Sequence, residues 1–209
     1  MPGDALRREF YMDDAVTAAR KLLGAVLVHD SPLGLTAGRI VETEAYAGQG
    51  DAACHSHKMA APIAGHRTSV MFGPGGFVYV YLIYGMYNCF NVVTNRPGEP
   101  EAVLIRALEP TRGLELMMER RGTDDVKKLC GGPGKLCIAL GITRELYGAD
   151  LCGERIFIEE GESPPDGSIL ATKRINVSYS GEAADYPYRF VIRGSGFLST
   201  RRFVGFKPI

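Results

Sequence analysis

Residues 77–93 read FVYVYLIYGMYNCFNVV, an uncharged run with tyrosines at 79, 81, 84 and 87 and asparagines at 88 and 91. Val, Ile, Phe and Tyr fit a pleated sheet, so the stretch predicts two strands, 77–83 and 87–94. They reverse near Tyr84-Gly85-Met86, which leaves Tyr84 at a hairpin tip with little core to bury in. No charge occurs from Thr68 through Asn95, yet glycines at 73, 75, 76 and 85 and many polar side chains interrupt the run. A membrane span is therefore not expected. Tyrosine joins a broad π face to a hydroxyl that needs a partner when buried, so the cluster suits a surface that stacks flat rings.

Upstream lies GRIVETEAY, residues 38–46. Strand alternation puts Glu42, Glu44 and Tyr46 on one face and Val41, Thr43 and Ala45 on the other. An isolated Glu-Thr-Glu ordinarily reads as a solvated strand face. Beside a ring-stacking surface, however, a carboxylate would supply a base. Arg106 stands in an otherwise apolar strand, AVLIRAL, and cannot be buried unpaired; Glu42 or Glu44 is the natural partner.

Outward from these segments, Asp13 or Asp14 caps a helix with apolar positions at Ala15, Val16, Ala19, Leu22 and Leu23 that Gly24 ends. AVLVH (25–29) and TAGRIVETEAY (36–46) pair as a hairpin around DSPLG, and Gly48 to Gly65 is a loop. AVLIRAL precedes Pro110, RGLELMMERR is a helix, and GGPGKL opens another through LCIALGI. INVSY (175–179) and YRFVIRG (188–194) are the last strands. The expected fold class is α+β: one domain, 1–209, with a curved antiparallel β-sheet and packed helices.

The chain has 209 residues, enough for one good core. Its opening, MPGDALRREF, has no apolar segment behind a basic start, so the expected location is the cytoplasm, or the nucleus in a eukaryote. Five cysteines without a CxxC pair agree with reduced core thiols. The formal charge is zero, but residues 171–209 hold seven basic side chains against two acidic, and residues 140–166 hold the reverse. That asymmetry fits a basic face on a polyanion and equally fits ordinary surface variation.

Cys54, His55, His57 and His66 match no usual zinc spacing, so neither a metal nor another cofactor is expected. GGPGKL lacks the glycine spacing of a P-loop and the Ser or Thr after Lys135. It can still present a helix N-terminus and Lys135 to one backbone phosphate.

GRIVETEAY, the His55-Ser56 pair, MFGPGG, YVYLIYGMYNCFNVV, AVLIRALEP, GGPGKLC and RFVIRGS, in that order from about Asp14 to Ser199, resemble the alkyladenine (3-methyladenine) DNA glycosylase family. The resemblance implies an enzyme that flips a damaged purine out of duplex DNA and hydrolyses its N-glycosidic bond. By position, Glu44 would be the general base and Arg106 would help place the water. Tyr46, His55 and Tyr81 would sandwich the base, and the backbone of Ala53 and His55 would read its edge. Asn91 would sit at the pocket floor with Leu104 among the base contacts, while Tyr84 and Met86 would meet the DNA. Double-stranded DNA carrying damaged purines is the expected partner, and a monomer the expected state.

The chemistry is consistent. An alkylated purine is cationic, which favours tyrosine faces and weakens the bond to the sugar, so a single carboxylate can suffice. The rival from another class is a non-catalytic RNA or single-strand binder using the tyrosines as a platform. It leaves Glu44 and Arg106 without a task.

Overall fold

The computed structural model describes residues 4–200 and the backbone of 207–208, so Arg201, Arg202 and the Lys207 side chain of the basic segment lie outside the described residues. The chain begins with a 3-10 turn, Arg8–Met12, and helix α1, Ala15–Lys21. Asp14 is the N-cap, its carboxylate accepting from the amides of Val16 and Thr17 at 3.0 Å each. Gly24 follows with φ of +93°, where an added Cβ would lie 2.2 Å from the Glu162 carbonyl oxygen. Only glycine fits that close a turn.

Strands β1 (Val26–Ser31) and β2 (Gly34–Tyr46) form the first hairpin. Strands β3 (Val78–Ile83) and β4 (Tyr87–Thr94) form the second, with Ile83 paired to Tyr87 across the predicted tip. Then come β5 (Glu101–Arg112) and helices α2 (Leu114–Arg121), α3 (Val126–Leu129) and α4 (Pro133–Leu140). Short strands β6 (Ile156–Glu159), β7 (Ile169–Thr172), β8 (Arg189–Ile192) and β9 (Lys207–Pro208) complete one sheet. All its pairings are antiparallel, in the order β3-β4-β5-β2-β8-β7-β9, with β1 on the other half of β2 and β6 beyond it. The architecture is α+β.

Strand β2 is long enough to serve two neighbours on one side, β1 along Val26–Ser31 and β8 opposite Glu42–Glu44. Glu42 and Glu44 thus sit between β5 and β8 in the middle of the sheet. Pairing with β5 goes from Ile40↔Leu108 to Glu42↔Ala107 and then to Thr43↔Ile105, so Val41 and Arg106 are each left over. Two offsetting bulges of this kind re-aim side chains, here at the arginine opposite the acids.

The sheet separates two apolar clusters. Val41, Ala45, Val78, Val80, Phe90 and Ile105 pack with α1 and α4 residues such as Ala18, Ala19, Leu136 and Leu140. On the other side Cys54, Met71, Tyr79, Val93 and Ala102 form a smaller cluster edged by Tyr46 and Tyr81. The loop after β2 covers this second face, and the polar alternation of ETEAY points toward it.

Several expectations change. Glu42 and Glu44 are fully buried, not a solvated face. INVSY is no strand: Asn176 takes a φ of +60° and a 3-10 segment begins at Ser178. Strand β5 runs through Pro110, which sits opposite Gly38 at a register shift where no ladder donor is required. Strands β6 and β7 and helix α3 were not anticipated. Among the described residues the late basic segment makes no continuous basic face, because Arg174 and Arg189 are buried in ion pairs and Lys173 bonds Asp185. No helix among the described residues is long and apolar enough to cross a membrane.

Candidate active site

The centre of the site is a buried cluster on β2, β5 and β8. Arg106 donates from Nε to Glu42 Oε1 and from Nη1 to Glu44 Oε2, both at 3.2 Å. Both sequence candidates are therefore its partners. Glu42 also accepts from Arg189 Nε at 2.7 Å, Ser199 Oγ at 2.7 Å and the Ser199 amide at 2.6 Å. A carboxylate offers about four lone-pair sites. Glu42 has four donors, three on Oε1 and one on Oε2, and two of them are arginines.

Glu44 differs. Oε1 accepts from the Ile175 amide at 2.7 Å, and Oε2 accepts from Tyr46 Oη at 2.9 Å as well as from Arg106. Three donors leave one site of about four unused among the described residues. Burial alone would lower the Arg106 pKa, but Glu44 and then Glu42 outweigh it and the guanidinium is held more firmly protonated. Burial, and next the Glu44 charge, push the Tyr46 phenol well above its ordinary range.

An aromatic wall flanks this cluster. The Tyr79 and Tyr81 ring centres lie 5.3 Å apart, as their shared strand face predicts, and His55 meets Tyr81 edge to face at 4.7 Å. The His55 Nδ1 and Tyr79 Oη are hydrogen-bonded at 2.9 Å. Burial, reinforced by the charges of Arg67 and His66, lowers the His55 pKa to about 4, so its ring is neutral at physiological pH. Tyr46, Ala53, His55, Tyr81 and Asn91 line one small inner cavity. It opens beside a cleft of about 790 Å³.

Leu104, Arg106, Tyr46, His55 and Tyr81 also face that cleft, whose outer rim is formed by the hairpin tip, the start of α4 and the Ile175–Tyr179 segment. Glu44 is one side chain behind the wall, reached through Tyr46 and Arg106. Tyr84 stands at the tip, 73% exposed with φ of +53°, and Met86 beside it is 67% exposed. Lys135 is on the rim near Tyr87, which packs so closely on Gly134 that a Cβ there would lie 3.0 Å from its ring. Asn91 donates its amide nitrogen to the Tyr79 carbonyl at 3.0 Å, so it ties the hairpin as well as lining the cavity.

Sequence reasoning missed five contributors. Among the described residues, Arg67 and Arg121 join Arg106 and Lys135 as the cations of the cleft, and none of its lining residues is an acid. Tyr179 borders both cavities. Asp51 and Arg174 pair beneath the site, and the Arg174 guanidinium lies 4.9 Å over the Tyr46 ring. None carries a local signal, since each gains its place from tertiary packing: Arg121 ends α2, Tyr179 lies in a 3-10 segment, and Asp51, Arg67 and Arg174 lie in loops. Cys54 bonds Ser56 and His57 bonds the Cys54 carbonyl, and among the described residues no three metal-type side chains are grouped.

An acid-and-arginine cluster thus lies buried behind an aromatic, cation-rimmed cleft, an arrangement able to receive a flat ring carried on a polyanion. The family model for methylpurine-DNA glycosylase matches residues 9–196. A Desulfitobacterium hafniense protein named "Putative 3-methyladenine DNA glycosylase" is 46% identical over 94% of this chain and 98% of its own. A Methanocella arvoryzae protein of the same name is 49% identical over 94% of this chain and 96% of its own. The chain belongs to the methylpurine-DNA glycosylase family, whose members are N-glycosyl hydrolases of base-excision repair.

Proposed function

We propose that the protein flips alkylated or deaminated purines out of duplex DNA and hydrolyses their N-glycosidic bond with a water activated by Glu44. The observation that carries this reading is the difference between the two buried acids. Glu42 is held by two arginines and by Ser199, whereas Glu44 has one arginine and three donors in all, and two of those donors, Tyr46 and Arg106, themselves line the cleft. Arg106 fixes the carboxylate and helps place the water, and the negative pair stabilises the oxocarbenium-like sugar.

Tyr46 stands on one side of the base, His55 and Tyr81 on the other, and the Ala53 and His55 backbone reads its edge. Asn91 and Leu104 limit the pocket. Tyr84, with Met86, fills the gap in the duplex, and Lys135 holds a phosphate. The cation-only rim favours the DNA backbone. Extrusion costs a few kcal/mol and least for damaged or mispaired bases, which adds selectivity before the pocket is reached.

The test is release of free base from duplexes carrying 3-methyladenine, 7-methylguanine, hypoxanthine or ethenoadenine. The expected result is excision of at least one without added metal. Tight binding of single strands with no base released from any duplex would favour the binding-module reading instead.

A further inference from the structure

Resting on the reading of the aromatic wall as the base site, we propose that Arg67 sets the choice between charged and neutral lesions, holding down excision of cationic methylated purines relative to uncharged ones. The Arg67 guanidinium carbon lies 5.7 Å from the centre of the Tyr81 ring, and both residues line the cleft. Tyr81 in turn meets His55 at 4.7 Å and Tyr79 at 5.3 Å. Arg67 therefore sets a full positive charge against the middle of the wall.

That charge is anchored at its backbone and meets no opposite charge in the cleft. Thr68, next in the chain, is fully buried, and its hydroxyl bonds the His66 ring at 2.7 Å. The Ser69 amide closes a turn onto the His66 carbonyl at 3.0 Å around Arg67. Among the described residues, none of the side chains lining the cleft is an acid. The field of Arg67 reaches the neighbouring rings. Burial lowers the His55 pKa and the Arg67 charge is the next cause, while on Tyr79 the same charge opposes the upward push of burial.

A tyrosine ring attracts a cation through its quadrupole, but a second cation at a ring already so engaged gains less and is repelled by the first. 3-Methyladenine and 7-methylguanine bring such a second charge. Hypoxanthine and ethenoadenine do not, and their stacking on Tyr81 does not depend on charge. Arg67 thus offsets part of the preference for cations that the tyrosine faces create. The guanidinium also attracts phosphate, yet that attraction acts on every duplex alike.

The test compares Arg67→Gln with the wild type on one duplex sequence carrying each of the four lesions in turn, with single-turnover rates measured below saturating enzyme. Arg67 is exposed, so the variant is expected to fold. Loss of a phosphate contact lowers all four rates together. Loss of the charge beside Tyr81 raises both cationic lesions relative to both neutral ones by about two- to fivefold, the size of an exposed cation–π contact. Arg67→Lys keeps the charge and is expected to keep the wild-type ratios; a shift there like that of the glutamine variant would overturn the proposal. Unmoved ratios in Arg67→Gln also overturn it, as does a shift confined to one lesion, which follows shape and not charge. A wild-type protein that releases none of the four bases removes the base-site reading itself, a result distinct from excision with unmoved ratios.

Discussion

Arg174 and Asp51 are joined through both terminal guanidinium nitrogens, with Arg174 Nη2 2.7 Å from Asp51 Oδ1 and both side chains at most 1% exposed. The pair ties three parts of the site together. Asp51 accepts from the amides of Ala47 and Ala53, shaping the loop that carries His55. Arg174 stacks on Tyr46, and the next residue in the chain gives its amide to Glu44. Asp51→Ala is expected to lower stability by about 3–5 kcal/mol, because a buried guanidinium loses its partner. Chemical denaturation of the two proteins checks this; a loss under about 1 kcal/mol would mean that water replaces the carboxylate.

His55 sets a pH dependence. Its pKa lies near 4 in the fold against 6.5 for the free side chain, so the unfolded chain takes up the proton first as pH falls. The stabilisation from the neutral ring is complete above about pH 6.5 and is lost progressively toward pH 4. His29, lowered by burial, acts in the same direction. Imidazole resonances of His55 should remain those of the neutral ring at about pH 5.5; an ordinary titration near 6.5 would contradict the buried geometry.

Tyr84 combines high exposure with left-handed backbone, a costly conformation for a bulky residue and one often retained where function uses it. Tyr84→Ala should change stability by less than about 0.5 kcal/mol. It should nevertheless reduce the flipped fraction of a fluorescent base analogue in duplex. An unchanged flipping equilibrium would exclude the wedge.

Much of this site was legible in sequence because it rests on strand alternation. Glu44, Tyr46, Tyr79 and Tyr81 gain their direction from a period of two, and the reversal at Tyr84-Gly85 follows from its residues. Arg106 announced itself as a charge in an apolar strand. The bulges that aim it were not readable, since they depend on register with a distant strand. Nor was the burial of Glu42, whose partners Arg189 and Ser199 come from the far end of the chain. The INVSY segment shows the converse: β-type composition did not make a strand where Asn176 takes a left-handed backbone and a 3-10 segment follows.

Asn91 tests selectivity. Its tie to the Tyr79 carbonyl gives it a structural role, and its place in the inner cavity sets it against a purine edge. Guanine carries an exocyclic 2-amino group that hypoxanthine lacks, and a misfit polar contact is worth roughly 1–3 kcal/mol. Asn91→Ser should raise guanine excision relative to hypoxanthine by about tenfold or more. A folded variant with the wild-type ratio would confine Asn91 to the hairpin tie.

The central claim is that Glu44, not Glu42, accepts the proton of the attacking water. Single-turnover release of hypoxanthine or 7-methylguanine measures it directly when the wild type is compared with Glu44→Gln. The substitution preserves shape and removes the base, so the rate should fall by about a hundredfold to ten-thousandfold while lesion DNA is still bound. Excision by Glu44→Gln at the wild-type rate would contradict the account.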